Sequence, residues 1–372
     1  PRVRRQRQMC IRDRNWQHYN SLKRPGQMRA QSYQTIAHGA DTIQFFQLRR
    51  SKGGCEKFHG AVIAHVGTND TRVFKETAQL GRELESFGTR TLGTRNKSDV
   101  GIIFDWDNYW ALEYTSGPTQ DLKYVDQIHH YYEYFYNKNI SVDMIPVDGD
   151  FSKYKVIATP VLYMVKEGMK EKLEQFVKNG GTLITTFMSG IVDQSDNVHL
   201  GGYPGPLREM AGVWVEEIDA LAPEQSNTVS FSDGKEYKCN LLCDLMHPEG
   251  AEVLATYESD FYAGMPAVTK NIYGKGHVYY VATQLEAAGL ARVLDEVTNE
   301  VSVSGVIAEK TGLEITCRES ENTCFYFVIN FTDEKQTLPA SLAGMVDLIT
   351  GEAAKDGDVM NKWDVKILQE AL

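Results

Sequence analysis

Residues 168–187 read GMKEKLEQFVKNGGTLITTF and set out a helix, a turn and a strand in succession. The stretch 168–179 has helical composition, and the Gly180-Gly181 pair directly after it is a strong signal for the end of a helix. Residues 182–187 form a short apolar run that is typical of a buried strand. Together the three parts predict one repeat of a sheet in which helices connect parallel strands.

The same alternation continues on both sides of this repeat. Short apolar runs predict strands at residues 100–104 (VGIIF), 141–146, 155–159 (KVIAT) and 276–283 (GHVYYVAT). Helices are predicted at residues 120–138 and 286–299. Strands and helices that alternate at this length favour a doubly wound α/β domain, which we place at residues 96–300.

A shorter strand, loop and helix unit precedes that domain. The apolar run TIQFFQ at residues 42–47 predicts a buried parallel strand, residues 49–59 a polar loop, and residues 72–84 a helix. This unit is the repeat of a (β/α)8 barrel, whose sites lie on the loops after the strands. Residues 15–95 therefore predict the last one or two units of a TIM barrel.

The end of the chain has a different spacing. Beyond Glu314 the predicted elements shorten to hairpins, and residues 324–330 (CFYFVIN) are one of the strands. We expect a small antiparallel β domain at residues 301–372. The chain as a whole is thus expected to belong to the α/β class.

Composition and charge limit the partners of the chain. Its 372 residues are 42% hydrophobic and 24% charged, as in ordinary globular proteins, and they carry a formal net charge of −11. A negative balance of this size repels phosphate backbones, so nucleic acid is not expected as a partner. The sequence holds no apolar run of the roughly 18 residues that a membrane-spanning helix needs, so a membrane is not expected either.

Six cysteines stand at positions 10, 55, 239, 243, 317 and 324, and none belongs to a CxxC pair. A zinc ribbon is therefore not expected. Cys317 and Cys324 could face each other across a hairpin. We nevertheless expect all six cysteines to be free thiols in a reducing cytoplasm.

Residues 1–14 (PRVRRQRQMCIRDR) differ from the rest of the chain, since they contain six arginines and no hydrophobic periodicity. They could form a disordered or transit-like segment. The run MCIRDR at residues 9–14, however, corresponds to the in-frame translation of a transposon end sequence used in preparing DNA libraries. We therefore expect residues 1–14 to be a non-native scar, with the native sequence resuming at Asn15.

The loop predicted after residues 42–47 carries the candidate chemistry. It reads RRSKGGCEKFHG (residues 49–60), and its glycine pair allows the backbone to approach a ligand closely. Glu56 and His59 can hydrogen-bond vicinal sugar hydroxyls, because a carboxylate accepts and an imidazole donates. Upstream, the indole of Trp16 could stack on the apolar face of a sugar. Judged by residue type alone, Glu56 and His59 fit solvated loop residues better than ligand-binding residues.

Five motifs occur in order along the first 60 residues. They are NWxxYN at residues 15–20, KRPG at 23–26, AHGAD at 37–41, FFQ at 45–47 and ExFHG at 56–60. In this order they resemble the end of the catalytic barrel in glycoside hydrolase family 42, a family of β-galactosidases. The run FDWDNYWALE at residues 104–113 resembles the opening of that family's middle domain, a flavodoxin-like unit that mediates trimerisation.

The resemblance extends from Asn15 to Leu372 and has implications for partners and site residues. It implies a β-galactosidase that acts on galactoside substrates as a homotrimer, with Trp16, Glu56 and His59 lining the galactose subsite. Neither a metal nor another cofactor is implied, because carboxylate chemistry on glycosides requires neither.

The resemblance also implies that the catalytic residues are missing. Members of the family are retaining enzymes with an acid/base glutamate and a nucleophile glutamate, whose carboxyl groups lie about 5 Å apart. The acid/base lies on a barrel strand that this chain does not contain. The register of the nucleophile falls on Gln8, whose amide is too weak a nucleophile to replace a carboxylate. We therefore expect Glu56 to be a binding residue and the fragment alone to be inactive.

Two other functions compete with this interpretation. A non-catalytic trimerisation or accessory module is the stronger alternative, since most of the chain lies outside the predicted barrel. A glutamine amidotransferase is disfavoured, because residues 160–163 (PVLY) after the KVIAT strand offer no thiol.

Two further patterns have open or negative interpretations. The aromatic run DWDNYW at residues 105–110 is compatible with a core, a subunit interface or a wall of a neighbour's active site. Adjacent His129 and His130 face different directions on the predicted helix, so a metal site is not expected there.

Overall fold

Alternating helices and strands give way to hairpins near the end of the chain. The structure, a computed structural model, describes residues 18, 19, 21–309 and 311–371. It divides into two compact units, residues 98–305 and residues 1–97 together with 306–372. The described helices are α1 (Gln27–Ala37), α2 (Arg72–Phe87), α3 (Trp106–Tyr114), α4 (Tyr124–Asn137), α5 (Met169–Lys178), α6 (Arg208–Ala211) and α7 (Ala287–Glu300).

The strands of residues 98–305 are β1 (Val100–Ile103), β2 (Val142–Ile145), β3 (Val156–Thr159), β4 (Thr182–Thr186), β5 (Val213–Ala220), β6 (Asn227–Phe231), β7 (Glu236–Pro248), β8 (Glu252–Tyr257), β9 (Pro266–Tyr273), β10 (Gly276–Val281) and β11 (Thr283–Leu285). Those near the end of the chain are β12 (Glu314–Glu319), β13 (Thr323–Ile329), β14 (Gln336–Thr337), β15 (Val346–Asp347), β16 (Val359–Met360) and β17 (Val365–Ala371).

The unit of residues 98–305 is built on one 11-stranded mixed sheet. Its parallel half has the order β2-β1-β3-β4-β10. This order corresponds to the 2-1-3-4-5 arrangement of doubly wound sheets. Strands β1, β3 and β4 are buried at every position, as expected for a parallel sheet covered on both faces. The predicted α/β class is confirmed for this unit.

The turn between α5 and β4 forms where the sequence indicated. Gly180 adopts a φ of 110°, and the amide of Gly181 donates a 3.0 Å hydrogen bond to the carbonyl of Phe176. A Cβ atom on Gly276 would lie 2.1 Å from the carbonyl oxygen of Gly181. Strand β10 can therefore begin beside this turn only because position 276 has no side chain.

The other half of the sheet is antiparallel, and the sequence patterns identified no strand of it between residues 188 and 275. It continues from β10 in the order β9-β8-β6-β7-β11, with β5 pairing to β7 as well. Strand β7 is 13 residues long and pairs with β5, β6 and β11. The doubly wound half is thus extended by a set of hairpins.

The second unit contains a four-stranded antiparallel sheet of order β12-β13-β17-β15 and the two-stranded pair of β14 and β16. Helix α1 packs on β12 and β13. The shared core includes Tyr33, Ile36, Leu80, Phe325, Phe327 and Ile367. The small antiparallel sheet predicted at the end of the chain is confirmed.

The sequence assigned residues 15–95 and 301–372 to separate domains, yet they contribute to one hydrophobic core. The domain boundaries and the assignment of residues 15–95 to a barrel stay predictions. The prediction for residues 1–14 lies outside the described residues, as do Gln8, Trp16 and Cys10.

The strand predicted at residues 42–47 does not form among the described residues. No strand of the described residues pairs with this segment, and an isolated parallel bridge joins Arg49 to Ile63. Ile43 and Phe45 pack against the core, whereas Phe46 is 39% exposed and Leu48 is 65% exposed. The side chains alternate as they do in a strand, but in the described part of the chain this segment belongs to no sheet.

The expectation that all six cysteines are free thiols is wrong for one pair. Cys317 on β12 and Cys324 on β13 form a disulfide, with Cα atoms 6.4 Å apart. The two strands are antiparallel neighbours, so the hairpin brings the cysteines within bonding distance, as the alternative interpretation proposed. Cys55, Cys239 and Cys243 are free thiols.

Within the part of the chain that the structure describes, no helix has the length and apolar composition needed to cross a membrane.

Candidate functional site

The candidate loop is closed at its base by backbone hydrogen bonds. The amide of Val62 donates to the carbonyl of Gln47 at 3.0 Å, and the amide of Ile63 donates to that of Leu48 at 2.7 Å. A third bond of 3.1 Å runs back from the amide of Arg50 to the carbonyl of Ile63. The position of residues 49–62 therefore depends on the position of residues 47 and 48.

Glu56 and His59 lie together on this loop. A 3-10 turn over Cys55–Phe58 brings Nδ1 of His59 to 3.8 Å from Oε1 of Glu56. The Glu56 side chain is 38% exposed, whereas that of His59 is 5% exposed. A half-exposed carboxylate beside a buried imidazole offers hydrogen-bond acceptors and donors to a polar ligand.

The glycine pair of the loop has a conformational role at one of its two positions. Gly54 precedes the 3-10 turn with φ 68° and ψ −168°, a backbone conformation that only glycine adopts readily. Around Gly53 there is open space, with nothing within 4 Å of a Cβ built there. Gly54 therefore sets the turn that carries Glu56.

Three buried polar atoms of residues 42–50 have no hydrogen-bond partner among the described residues. They are Oγ1 of Thr42, Nε2 of Gln47 and Nε of Arg50. An unsatisfied buried donor costs about 1–3 kcal/mol, so such atoms are normally paired with a ligand, with water or with further protein. Gln47 is a candidate site residue that the sequence reasoning missed, although its place at the end of the predicted strand was a usable signal.

The AHGAD motif at residues 37–41 contacts strand β12 of the same unit. Nε2 of His38 lies 2.7 Å from Oε1 of Glu314, and Asp41 accepts a 2.8 Å bond from the guanidinium of Arg318. Both partners belong to β12. The motif is explained by packing within this unit.

The core interpretation of the aromatic run at residues 105–110 is wrong for its two tryptophans. Trp106 is 59% exposed and Trp110 is 51% exposed, with ring centroids 6.0 Å apart, and Tyr114 further along α3 is 90% exposed. Exposed aromatic side chains that lie together typically mark an interaction site. We call Trp106, Trp110 and Tyr114 the α3 surface.

The position at which an amidotransferase carries its cysteine is filled with packing and internal hydrogen bonds. Val161 follows β3, is fully buried, and has a φ of 51°. Its amide donates to Oγ1 of Thr186 at 2.8 Å, and its carbonyl accepts from Nδ2 of Asn108 at 3.0 Å. A valine side chain provides no nucleophile, so no amidotransferase chemistry is possible at this position.

Of the two adjacent histidines on α4, His130 is engaged by the protein itself. Its Nε2 lies 2.8 Å from the carbonyl oxygen of Leu285. Over the described residues, no group of three or more His, Cys, Asp or Glu side chains could hold a metal ion.

Comparison with known families gives three matches along the chain. The profile described as "Beta-galactosidase" matches residues 7–87, "Beta-galactosidase trimerisation domain" matches residues 98–304, and "Beta-galactosidase C-terminal domain" matches residues 312–370. The first match begins within residues 1–14 and so overlaps the segment predicted to be a scar.

Individual relatives are similar over nearly the whole chain. Beta-galactosidase LacZ of Lactobacillus acidophilus is 52% identical over 357 residues, which are 95% of this chain and 53% of the relative. Beta-galactosidase BgaA of a Planococcus species is 49% identical over 359 residues, with shares of 95% and 53%. The crystal structure of a beta-galactosidase from Bacillus circulans sp. alkalophilus matches with a TM-score of 0.93 at 46% identity, over 98% of this chain and 55% of that one.

The chain spans about half the length of the curated relatives it matches. Within this chain, the trimerisation-domain profile by itself covers residues 98–304 of 372. The chain therefore belongs to the family 42 β-galactosidases.

Proposed function

We propose that the complete protein hydrolyses terminal β-D-galactosides with retention of configuration, and that this chain supplies part of the galactose subsite. The observation that carries the proposal is the pairing of Glu56 with His59 on a loop whose base is closed by hydrogen bonds. That loop lies within residues 7–87, which match the "Beta-galactosidase" profile. Trp16, proposed to stack on the sugar, lies outside the described residues.

In this proposal the loop recognises hydroxyl groups. The carboxylate of Glu56 accepts hydrogen bonds from one or two sugar hydroxyls, and the imidazole of His59 donates a hydrogen bond to a neighbouring hydroxyl. Nε2 of Gln47 and Nε of Arg50 are buried donors that such a ligand could satisfy. Discrimination against a sugar that lacks a hydroxyl follows, because a buried donor is then left unpaired.

Glu56 is proposed to bind and not to catalyse. Retaining hydrolysis needs two carboxyl groups about 5 Å apart, one as nucleophile and one as acid/base. Glu56 is the single carboxylate of residues 49–60. We assign the acid/base to the portion of the relatives that this chain does not match, and the register of the nucleophile to Gln8, whose amide cannot replace a carboxylate.

We further propose that this chain comprises three domains and that the protein assembles as a homotrimer. Residues 15–95 are the end of the catalytic (β/α)8 barrel, residues 96–300 a flavodoxin-like trimerisation domain, and residues 301–372 an accessory β domain. The description of the profile that matches residues 98–304 supports self-association. The α3 surface is the proposed contact with a second copy, because tryptophan and tyrosine are enriched at the centre of interfaces. A cytoplasmic location is part of the proposal.

The test is hydrolysis of a chromogenic β-galactoside by the complete protein, by the 372-residue chain, and by the complete protein carrying Glu56→Gln. We expect activity in the complete protein and none in the chain alone. Because a hydrogen bond to a charged group contributes about 1.5–3 kcal/mol, Glu56→Gln should lower kcat/KM by about tenfold to a hundredfold.

The matched control is Glu85→Gln, an exposed position on α2 outside the loop, which should leave kcat/KM unchanged. Activity of the 372-residue chain alone would place the catalytic carboxylates within it and overturn the assignment. A complete protein that self-associates but hydrolyses no β-galactoside would instead support the non-catalytic accessory module.

A further inference from the structure

Alternate side chains of strand β12 contact the end of helix α1. Glu314 accepts a 2.7 Å hydrogen bond from Nε2 of Gln34, and the hydroxyl of Thr316 donates a 3.2 Å bond to the carbonyl of Ala37. The next residue on the same face is Arg318. Residues at spacing two point to one side of a strand, so this face of β12 is directed at α1 along its whole length.

Arg318 is the most heavily bonded of the three. Its side chain is 0% exposed, and Nη1 donates to the carbonyls of Ile36 and Ala40, both at 2.8 Å. Nη2 donates to Oδ1 of Asp41 at 2.8 Å, and Nε donates to Oγ1 of Thr94 at 2.9 Å. A buried guanidinium is tolerated only when its donors are paired, and here the pairing fixes the backbone that leaves α1.

That backbone leads directly to the candidate loop. Residues 42–48 follow Asp41, and Ile43 and Phe45 pack on the hydrophobic cluster that contains Phe325 and Ile367 of the C-terminal sheet. Residues 47 and 48 then form the closed base of the loop that carries Glu56 and His59. The C-terminal sheet therefore holds the start of this segment through an ion pair, and it contributes to the hydrophobic cluster on which Ile43 and Phe45 pack.

We propose that Arg318 is a positioning residue that fixes residues 40–48 and, through them, the loop of residues 49–62. Its consequence for sugar binding rests on the proposed function, whereas its effect on the loop does not. On this view the C-terminal β domain sets the geometry of the galactose subsite without touching the sugar.

The first test is amide hydrogen exchange, followed by mass spectrometry, on the 372-residue chain. Asp41→Asn removes the ion pair and leaves Arg318 its carbonyl partners, so it serves as the milder variant should Arg318→Lys fail to fold. A lost charge-assisted bond should speed exchange of residues 42–63 by about tenfold in either variant. A lysine ammonium cannot replace the forked donors of arginine, so Arg318→Lys should not keep the amides of residues 42–63 protected from exchange, although it keeps the charge.

The matched control is Asn330→Ala. Asn330 is equally buried, and its Nδ2 donates to the carbonyls of Glu334 and Met360, which belong to the β domain alone. This variant should speed exchange near residues 330–360 and leave residues 42–63 protected. Unchanged exchange of residues 42–63 in Asp41→Asn and Arg318→Lys, or an equal increase in Asn330→Ala, would overturn the proposal.

The second test uses the complete protein and a chromogenic β-galactoside. Asp41→Asn should raise KM by several-fold with a smaller change in kcat, since the subsite is displaced while the catalytic carboxylates are not, and Asn330→Ala should leave KM unchanged. An unchanged KM beside faster exchange would remove the link to sugar binding. If the unmutated complete protein hydrolyses no galactoside, the proposed function fails, and the exchange experiment still decides the role of Arg318.

Discussion

The carboxyl group of Asp244 accepts a 2.6 Å hydrogen bond from the hydroxyl of Tyr280 inside the mixed sheet. Both side chains are buried, and Oδ1 of Asp244 has no hydrogen-bond partner in the described part of the chain. Burial raises the pKa of Asp244 from 3.8 to about 8, against the opposing effect of the Tyr280 bond. The group is therefore protonated in the folded protein at neutral pH, since the charged form would lose its hydration.

This shift makes the protein less stable as the pH rises. Below about pH 4 Asp244 is protonated in both states, whereas between pH 4 and pH 8 the unfolded chain releases a proton that the folded chain keeps. The free energy of unfolding therefore falls across this window. Asp244→Asn removes the ionisable group. The free energy of unfolding of this variant, relative to that of the unmutated chain, should therefore rise by at least about 2 kcal/mol between pH 5 and pH 8. Urea unfolding at the two pH values measures the difference.

Tyr280→Phe is the companion variant. It removes the hydroxyl that donates to the carboxyl group of Asp244 and should lower the free energy of unfolding at every pH by about 1–3 kcal/mol. If the free energies of unfolding of Asp244→Asn and of the unmutated chain differ by the same amount at pH 5 and pH 8, Asp244 does not titrate as described.

The disulfide of Cys317 and Cys324 should stabilise the hairpin of β12 and β13. The cysteines are 7 residues apart in sequence. Closing a loop of this size lowers the entropy of the unfolded chain and so raises the free energy of unfolding by about 2–3 kcal/mol. The double variant Cys317→Ser with Cys324→Ser should lose that amount in chemical unfolding. Peptide mapping without reductant should recover the two cysteines as one linked pair, and recovery as two free thiols would contradict the structure.

The parallel half of the sheet could be predicted from the sequence because its central strands β1, β3 and β4 are buried at every position. Residues 155–159 and 182–187 read as plain apolar runs, and glycines at 180 and 181 mark the turn between helix and strand. The antiparallel half could not be predicted in the same way. Strand β7 is mostly exposed or half-buried over residues 236–241 and fully buried over residues 242–246. Between these two parts it contains Leu241 at a φ of 70°, where its pairing with β11 shifts register.

The candidate site was predicted only in part, for a related reason. The resemblance to family 42 indicated Glu56 and His59, which are three residues apart in sequence and lie together in the loop. The roles of Asp41 and Arg318 depend on a contact across 277 positions of sequence, which no local pattern reveals. The same holds for the strand wrongly predicted at residues 42–47, since an apolar run shows no pairing partner and strand formation depends on one.

The start of α3 is stabilised by two carboxylates that share one lysine. Nζ of Lys166 lies 2.8 Å from Asp105 and 2.6 Å from Asp107, and the Asp105 side chain also accepts the amide of Asn108 at 3.3 Å as the helix N-cap. Asp105→Ala loses both the cap and a buried ion pair and should cost about 2–4 kcal/mol. Asp107→Ala loses an exposed ion pair and should cost less than about 1 kcal/mol.

Thermal unfolding of the two variants side by side measures this difference. The comparison is matched, because each variant removes one carboxylate from the same lysine. Equal losses in the two variants would show that neither the cap nor the burial of Asp105 matters.

The α3 surface should determine the oligomeric state. Trp106 and Trp110 are more than half exposed, and removal of a large aromatic side chain from the centre of an interface costs about 2 kcal/mol or more. The double variant Trp106→Ala with Trp110→Ala should therefore shift a trimer towards monomers. Sedimentation velocity over a range of protein concentrations measures the shift, and circular dichroism verifies that the variant is folded.

Phe261→Ala provides the control for that experiment. Phe261 is 77% exposed on the same unit but lies outside the α3 surface, so its removal should leave the sedimentation profile unchanged. If both variants dissociate, general loss of apolar surface is responsible and no specific contact is indicated. If the tryptophan variant remains a trimer, the second copy binds elsewhere, because an interface centred on these indoles cannot survive their removal at low protein concentration.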